Sequence, residues 1–462
     1  MTLGCHPSAP KIDTNPLQRP QPATIRTMND NAAILAERAP DLKAMRRLLL
    51  IAVIVAAIGA TAFLLVVHEL QTLVFSSLPD AMGYASAPWW WAAILLLIGA
   101  SLVAVAQRLP GHTGSGPLTG FHFDNPLRIV PSILLAAIAS LVFGIALGPE
   151  APLIVLGSAL GLILLSRSKN AQAKQAGAFL GGTAAIGAVF GNPFITAFMI
   201  LEFAALGLAP SALILPVLVA LGASYLVQVG IGGIPGVGTH SLGVPGMPAY
   251  NDIAVGDLAG AAAVAILAGI VTLIAREGGL RFGRIAERRP VPALYIGALV
   301  TAAALTAAML GFDVEIDQIL FSGEYGMAGL ITETSVITVL AILIFKAIAY
   351  TVALGGGFRG GPIFPATFLG VAVAVGGALL LPDVSVSALA AAGIAAATAA
   401  MIKLPATSAL LGALLIGGSG SAIAPFAILG AVIGLGIRLA ADRRDARSTV
   451  SPIAPDLHAP NR

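Results

Sequence analysis

Long apolar stretches, separated by short polar ones, dominate the chain between residues 45 and 441. Most of them are close to the roughly 20 residues that a helix needs to cross about 30 Å of hydrocarbon. Only 10% of the 462 residues are charged, whereas charged residues make up about 25% of a typical soluble domain. The pattern predicts an all-α polytopic membrane protein. Spans are expected over residues 48–67, 89–106, 129–147, 176–201, 258–275, 293–310 and 336–354.

Two apolar stretches, 153–165 and 407–416, are too short to cross a bilayer alone. Segments of about 10 to 14 residues are typical of re-entrant helices or half-helices. Irregular backbone is tolerated at membrane depth only where protein buries it or where it lines a cavity. The 53 glycines and 30 prolines of the chain fit such a bundle of broken, closely packed helices.

The positions of the arginines predict the orientation. Arg46 and Arg47 precede the first span, five arginines lie between residues 276 and 289, and four lie between residues 438 and 447. Because cytoplasmic loops carry an excess of basic residues, we expect both termini in the cytoplasm. These loops also account for the net charge of +3 without a nucleic-acid partner.

The polar ends of the chain frame one transmembrane domain. Residues 1–44 are polar and rich in proline, which predicts a disordered cytoplasmic arm. Residues 442–462 are expected to form a short cytoplasmic tail. Between these ends lies the transmembrane domain, residues 45–441, with a first half at about 45–235 and a second half at about 250–441.

The two halves share a repeated motif. The pattern GPxxPxxxLG begins at Gly148 and again at Gly361, 213 positions later. A second repeated feature is a proline at the start of an apolar helix, at Pro193 and again at Pro405, 212 positions later. One repeat could arise by chance in a chain so rich in Gly and Pro, but two repeats at nearly the same offset favour duplication. Paired Gly/Pro-interrupted segments in two halves indicate the central site of a transporter.

Glu150 lies between Pro149 and Pro152 at the start of the first short helix. A proline in the first turn costs no intrahelical hydrogen bond, so such a helix can begin inside the membrane and present free N–H groups to an anion. The Glu150 carboxylate could occupy the place of that anion and block it. An acid in a membrane segment is a functional candidate by default. The alternative is a helix cap on a solvated loop.

These motifs resemble those of the CLC family of chloride channels and proton/chloride exchangers. The family reads G-K/R-E-G-P where this chain has Gly148-Pro149-Glu150-Ala151-Pro152, and G-x-F-x-P where it has Gly361-Pro362-Ile363-Phe364-Pro365. The turn GGGFRGG and Lys346 are also similar to the family. The resemblance implies an inverted repeat with broken and re-entrant helices. It further implies voltage gating and a homodimer with one anion pathway in each subunit.

The resemblance also assigns site residues. It makes Glu150 the gating glutamate and directs the amides of Ile363 and Phe364 at the central anion. Gly148, Ala151 and Gly361 belong to the same anion-binding motifs. A further family motif, G-S-G-I-P, supplies a serine hydroxyl, and the stretch HTGSGPLTG is the candidate here. Matching the serine selects Ser115, whereas matching the proline selects Gly114, so both stay candidates.

Two departures from the family bear on the mechanism. Exchangers commonly carry a second, inner glutamate directly after the acid that ends the NPxxxxxxxxE helix. In this chain Glu202 matches that acid, but Phe203 follows it. Glu202 either replaces the missing glutamate or has a structural role. In addition, no tyrosine follows Tyr350, so the tyrosine hydroxyl of the family's anion site is absent.

The missing inner glutamate favours transport of chloride or similar small anions by a channel-like or loosely coupled mechanism. The alternative is a proton-coupled chloride exchanger, and a secondary carrier of another solute is less favoured because few polar side chains interrupt the spans. An enzyme is not expected, since no histidine has a plausible catalytic or metal-binding partner. We expect no cofactor and no metal, and a place in the lipid bilayer of a bacterial plasma membrane.

Overall fold

The computed structural model describes residues 42–168, 170–233, 243–251, 253–417 and 420–449. Over these residues the chain folds into α-helices and contains no β-strand. The arm expected over residues 1–44 therefore lies almost entirely outside the described residues, as does the end of the expected tail. The all-α prediction is confirmed.

Fourteen helices of 11 residues or more account for most of the described chain. Short helical turns at Leu73–Ser77, Leu78–Ala81, Ser211–Leu213, Ile316–Ile319, Gly326–Thr332 and Gly420–Ile423 connect some of them. The first seven are α1 (Leu42–Thr72), α2 (Trp89–Ala106), α3 (Val130–Val142), α4 (Glu150–Leu164), α5 (Ala171–Phe190), α6 (Pro193–Ala205) and α7 (Ile214–Gly232). The others are α8 (Val255–Arg288), α9 (Pro290–Phe312), α10 (Val336–Gly355), α11 (Ile363–Leu380), α12 (Val386–Ile402), α13 (Pro405–Leu415) and α14 (Ala424–Thr449).

Eight helices in the described part of the chain are long and apolar enough to cross a membrane. Five of them contain the spans predicted at 48–67, 89–106, 258–275, 293–310 and 336–354. The apolar pattern did not single out the other three, which are Ser211–Gly232, Ile363–Leu380 and Ser421–Arg444.

Two predicted spans are wrong because the chain breaks inside each of them. The stretch 129–147 stops being helical after Val142, and Gly144 follows with a φ of +92°. The stretch 176–201 is divided at Gly191, whose φ is +61°. The backbone there is left-handed, a conformation that glycine adopts without steric cost. The side chain of Asn192 then accepts a hydrogen bond from the Phe194 N–H at 2.9 Å and starts α6.

The two stretches that were predicted to be re-entrant form short helices. The first lies in α4, which has 15 residues, and the second lies in α13, which has 11. At about 1.5 Å per residue, neither helix reaches across 30 Å of hydrocarbon. Both lengths agree with helices that begin or end inside the membrane.

The long helices divide into two successive sets of seven, α1–α7 in the first half and α8–α14 in the second. The equivalent residues Gly148 and Gly361 pair with each other in one antiparallel bridge. The Gly148 N–H donates to the Gly361 carbonyl at 2.8 Å, and the Gly361 N–H donates to the Gly148 carbonyl at 2.5 Å. Reciprocal contact between equivalent positions is what a two-fold relation produces. The two copies of the motif therefore contact each other through equivalent positions.

Close glycine contacts repeat as well. A Cβ atom on Gly157 of α4 would lie 2.3 Å from the Gly181 carbonyl oxygen of α5. In the second half, a Cβ atom on Gly370 of α11 would lie 2.5 Å from the Gly393 carbonyl oxygen of α12. Small residues allow helix backbones in membranes to approach closely. In each half, the helix that carries the motif is thus packed directly against the helix after it.

We expect Gly370→Ala to destabilise the protein by about 1–3 kcal/mol, because the added methyl group overpacks the contact with Gly393. Gly311→Ala in α9 is the matched control, since no described residue outside its own helical turn lies within 4 Å of the added methyl group there. Thermal unfolding of the purified proteins in detergent measures the difference. Equal melting temperatures for the two variants would contradict the close approach of α11 and α12.

Candidate functional site

The helices α4 and α11 begin next to each other in the interior of the bundle. Pro149 and Pro362 are their N-cap residues, each directly after one glycine of the Gly148–Gly361 pair. The first N–H groups of a helix have no intrahelical partner and carry the positive end of the helix dipole. Two such ends at one place create a region of positive potential without a basic side chain.

The side chain of Glu150 occupies this region. Glu150 is the first residue of α4 and is 0% exposed. Its Oε1 atom accepts a hydrogen bond from the Phe364 N–H of α11 at 2.9 Å. Its Oε2 atom has no hydrogen-bond partner among the described residues. The acid of the first half therefore caps the helix of the second half, and its complete burial argues against a cap on a solvated loop.

The two glycines of the repeat make room for this carboxylate. A Cβ atom on Gly361 would lie 1.7 Å from Glu150 Oε2, and one on Gly148 would lie 2.2 Å from the same oxygen. Any larger residue at either position would displace the acid. Among the residues that the sequence assigned to an anion site, Gly148, Gly361 and Phe364 thus surround Glu150 directly. Ile363 is buried as the first residue of α11.

One side of the protein carries the basic segment 276–289, and we refer to it as the basic side. A cavity of about 510 Å³ reaches from it to Ala151 of α4 and Pro362 at the start of α11. Phe203, Lys403 and Arg438 also line this cavity. The helix N-termini are therefore connected to the basic side by a space that could hold water and ions.

The candidates Ser115 and Gly114 lie in an irregular segment between α2 and α3. Gly114 has a φ of +66°, and its carbonyl oxygen accepts a hydrogen bond from Arg359 at 2.9 Å. Ser115 lines a small cavity of about 40 Å³ together with Ala151 and Arg359. Of the two candidates, the structure brings Ser115 into the neighbourhood of α4, whereas Gly114 is engaged with Arg359.

The contacts of Glu202 support the structural one of the two roles that the sequence left open. Its carboxylate accepts hydrogen bonds from the Ala406 N–H at 2.8 Å and from the Thr407 N–H at 2.7 Å. The Thr407 hydroxyl donates to it as well. These donors lie at the N-terminus of α13, so Glu202 caps the helix of the opposite half. Phe203 instead points into the 510 Å³ cavity, where its ring centroid lies 6.1 Å from that of Phe121.

Lys346 is completely buried and does not reach the membrane surface. Its Nζ atom donates to the carbonyl oxygens of Leu320 at 2.7 Å and Phe321 at 3.1 Å, and lies 4.9 Å from the ring centroid of Phe368. The Phe321 N–H in turn donates to the Gly144 carbonyl at 3.3 Å. Lys346 therefore anchors the segment 320–326 beside the chain that enters α4.

Sequence reasoning missed Glu324, which lies in this anchored segment. The neighbouring Gly323 packs against Phe368 of α11, and Glu324 is close enough to Glu150 for their charges to interact. An acid flanked by glycines in SGEYG was the available signal. It was overlooked because the segment falls between two apolar spans.

The chain is similar to known transport proteins. The family profile described as "Voltage gated chloride channel" matches residues 115–439. YfeO of Escherichia coli O139:H28 (strain E24377A / ETEC), which is named as an ion-transport protein, is 29% identical over 343 residues, or 71% of this chain and 79% of YfeO. YfeO of Shigella boydii serotype 4 (strain Sb227) is similar to the same degree.

Solved structures share the fold at low sequence identity. A slow cyanobacterial Cl⁻/H⁺ antiporter superimposes with a TM-score of 0.69 at 17% identity, covering 88% of this chain and 98% of the antiporter. A CLC-type fluoride/proton antiporter gives a TM-score of 0.68 at 19% identity, covering 86% and 96%. The two-half architecture with broken helices is therefore common to this chain and to these antiporters.

Removing the Glu202 carboxylate should destabilise the protein. In Glu202→Ala the first N–H groups of α13 lose their acceptor, and we expect a loss of about 1–3 kcal/mol. Glu202→Gln keeps one acceptor oxygen and should lose less. Thermal unfolding in detergent measures both effects. Wild-type stability of Glu202→Ala would show that the cap contributes nothing and would reopen a role in proton transfer.

Proposed function

Because the chain belongs to the voltage-gated chloride channel family, we propose that it moves chloride or a similarly small anion along a pathway that Glu150 closes. The observation that carries this proposal is the hydrogen bond from the Phe364 N–H to the buried Glu150 carboxylate. An anionic side chain already occupies the N-terminus of a buried helix. A free anion of similar size could take the same place.

Binding at this site would depend on backbone groups. When the Glu150 carboxylate leaves, the Phe364 and Ile363 N–H groups at the start of α11 become free to bind an anion. In the described residues no lysine or arginine side chain forms a hydrogen bond or ion pair with Glu150. Partial charges of helix ends attract an anion more weakly than a buried full charge would. Such a site favours release as well as binding.

Two events could open the pathway. Protonation would remove the negative charge of Glu150 and weaken its hydrogen bond to Phe364, because charge-assisted hydrogen bonds are about twice as strong as neutral ones. Alternatively, an arriving anion could compete for the same N–H group. The Glu150 Oε2 atom has no partner among the described residues, so the carboxylate is held to the opposite half through its Oε1 atom.

The residues between Glu150 and the basic side favour a channel-like or loosely coupled mechanism. Phe203 occupies the position at which the family resemblance would place an inner glutamate. Glu202, the nearest acid in the sequence, already accepts hydrogen bonds from the start of α13. Protons arriving at Glu150 would therefore lack a carboxylate that leads to the basic side.

Proton-coupled exchange is the second candidate, and Glu324 favours it. Glu324 is partly buried and close enough to Glu150 for their charges to interact, so it could pass a proton to Glu150. Burial raises the pKa of Glu324 to about 7, so this group would change its protonation near neutral pH. The two similar antiporter structures are both named as proton-coupled.

We further propose that the chain forms a homodimer in a bacterial plasma membrane, with both termini in the cytoplasm. The family resemblance supports the dimer. The arginines near α1, in segment 276–289 and at the end of α14 support the orientation, because basic residues are retained on the cytoplasmic side.

Chloride efflux from liposomes tests the proposed function. Wild-type protein should release chloride, and Glu150→Ala should release it faster because the blocking carboxylate is absent. Glu69→Ala is the matched control, since Glu69 is an exposed acid of α1. Its flux should equal that of the wild type.

External pH, recorded in the same experiment, separates the two mechanisms. Efflux without proton movement indicates a channel-like pathway. Proton uptake that accompanies chloride efflux and disappears in Glu150→Ala indicates an exchanger. Absence of halide flux from folded wild-type protein would overturn the anion pathway.

The flux should also depend on the protonation of Glu324. With the pKa of Glu324 at about 7, its carboxylate is ionised above this pH and repels an anion that approaches Glu150. Chloride flux should therefore rise as the pH on both sides of the membrane falls through about 7. Glu324→Gln should show higher flux at alkaline pH and a flatter pH profile. Identical profiles for the variant and the wild type would rule out a role for Glu324.

A further inference from the structure

A wide cavity of about 1120 Å³ lies on the basic side, and we call it the basic vestibule. Arg108, which follows the end of α2, lines it together with Arg281 and Arg284 of α8. Arg281 and Arg284 lie one helical turn apart and therefore share a face of α8. Side chains from two separate parts of the chain thus bring three positive charges to one space.

The guanidinium groups of these three arginines are not engaged by the protein. In the part of the chain that the structure describes, no hydrogen bond or ion pair joins any of them to another residue. Two carboxylates also line the vestibule, but Glu277 is paired with Arg276 and Glu287 forms no ion pair. Arg359, the remaining arginine of the lining, donates to backbone carbonyls. The vestibule therefore has an excess of positive charge and free N–H donors, which suit an anionic group.

The vestibule lies at the level where three helices leave the hydrocarbon. The uncharged part of α8 ends at Ala275, and Arg281 follows six residues later, or about 9 Å along the helix axis. The helix α2 ends at Ala106, two residues before Arg108, and α9 begins at Pro290, which also lines the vestibule. The polar headgroups of a bilayer occupy roughly 5–8 Å on each side of the hydrocarbon. The arginines are therefore placed in or beside the headgroup layer.

Exposed apolar side chains lie next to these arginines. Val105 is three residues before Arg108 and is 51% exposed, and Ile285 is one turn after Arg281 and is 59% exposed. Part of the wall of the vestibule is apolar as well, at Ala104, Leu280, Val291 and Leu354. Basic groups beside exposed apolar side chains fit a molecule that has an anionic head and a hydrocarbon tail.

The chemistry of the vestibule favours a phosphate group. Arginine offers two parallel N–H donors, which fit two oxygens of one phosphate. Ligand cavities for organic molecules measure about 300–1,000 Å³, so the vestibule has room for a whole headgroup. Basic pockets between membrane helices typically bind the headgroups of anionic lipids. A lipid also supplies the tail that Val105 and Ile285 would contact.

We propose that the basic vestibule binds the phosphate headgroup of an anionic phospholipid, through Arg108, Arg281 and Arg284. This binding does not require the proposed anion pathway, because neither Glu150 nor Phe364 lines the vestibule. Residues 117–119, however, line both the vestibule and the 510 Å³ cavity that reaches the starts of α4 and α11. A bound lipid would therefore contact a wall of that cavity and influence the movement of anions through it.

Native mass spectrometry of the purified full-length protein tests the site, with short-chain phosphatidylglycerol as the probe. The wild type should bind it more tightly than phosphatidylcholine of the same chain length, whose headgroup has no net charge. Arg281→Gln combined with Arg284→Gln should bind phosphatidylglycerol at least about tenfold more weakly, which is the weight of one charge-assisted hydrogen bond. Equal binding of the two lipids by the wild type would overturn the site.

The matched control is Arg443→Gln combined with Arg444→Gln, which removes the same charge from α14 outside the vestibule. It should keep wild-type affinity for phosphatidylglycerol. All four arginines are exposed, so both double variants should keep the wild-type melting temperature. An equal loss of affinity in the two double variants would show that only the overall charge matters and would overturn the site.

Two competitors separate a phospholipid from other anions. Glycerol 3-phosphate carries a phosphate group without a tail, and a fatty acid carries a tail with a carboxylate. Neither should displace phosphatidylglycerol at equal concentration. Displacement by glycerol 3-phosphate would make a soluble phosphate the occupant and overturn the lipid assignment. Displacement by the fatty acid would overturn the assignment of a phosphate group.

Chloride flux tests whether the bound lipid acts on the pathway, and this part of the inference rests on the proposed function. Phosphatidylglycerol added to phosphatidylcholine liposomes should lower the flux of the wild type about twofold, because the phosphate neutralises arginines that concentrate anions near the cavity. The Arg443/Arg444 control should behave like the wild type, and the Arg281/Arg284 variant should not respond. The same response in all three proteins would overturn the effect on flux. Lipid binding without any chloride flux would refute the proposed function and leave the lipid site intact.

Discussion

The reciprocal pair of hydrogen bonds between Gly148 and Gly361 is the constraint on which the rest of the site depends. It holds the two copies of the repeated motif together, so that α4 and α11 begin beside each other. Both residues have to be glycine, because a side chain on either would displace the Glu150 carboxylate. A single backbone contact thereby positions two helix N-termini and the acid between them.

Each half of the protein completes the other at more than one place. Glu150 of the first half caps α11, and Glu202 of the first half caps α13. The chemistry of the two contacts is the same, since in both a carboxylate accepts hydrogen bonds from the free N–H groups of a helix. The two carboxylates differ in their burial and in how many of their oxygens accept a hydrogen bond. Glu202 uses both oxygens and is partly accessible, whereas Glu150 is fully buried with one oxygen unpartnered among the described residues.

Two basic side chains in the interior, one fully and one partly buried, have similar hydrogen-bond partners. The Lys346 ammonium and the Arg359 guanidinium both donate to backbone carbonyl oxygens. Carbonyl groups compensate for lost hydration without cancelling the charge. Lys346 is completely buried, and its hydrogen bonds to Leu320 and Phe321 anchor the start of segment 320–326. Arg359 is only partly buried and lines two cavities.

Local patterns in the sequence determined the membrane-embedded helical fold, the two-half repeat and the importance of Glu150, because apolar length and Gly/Pro spacing act within a few turns of chain. They failed at 129–147 and 176–201, where glycines break stretches that are apolar throughout. The bond from Phe364 to Glu150 joins residues 214 positions apart, and only the packing of the halves produces it. The same holds for the structural role of Glu202, the position of Glu324 and the exposure of Arg359 to two cavities. Hydrogen bonds between distant segments depend on tertiary geometry, which no local pattern encodes.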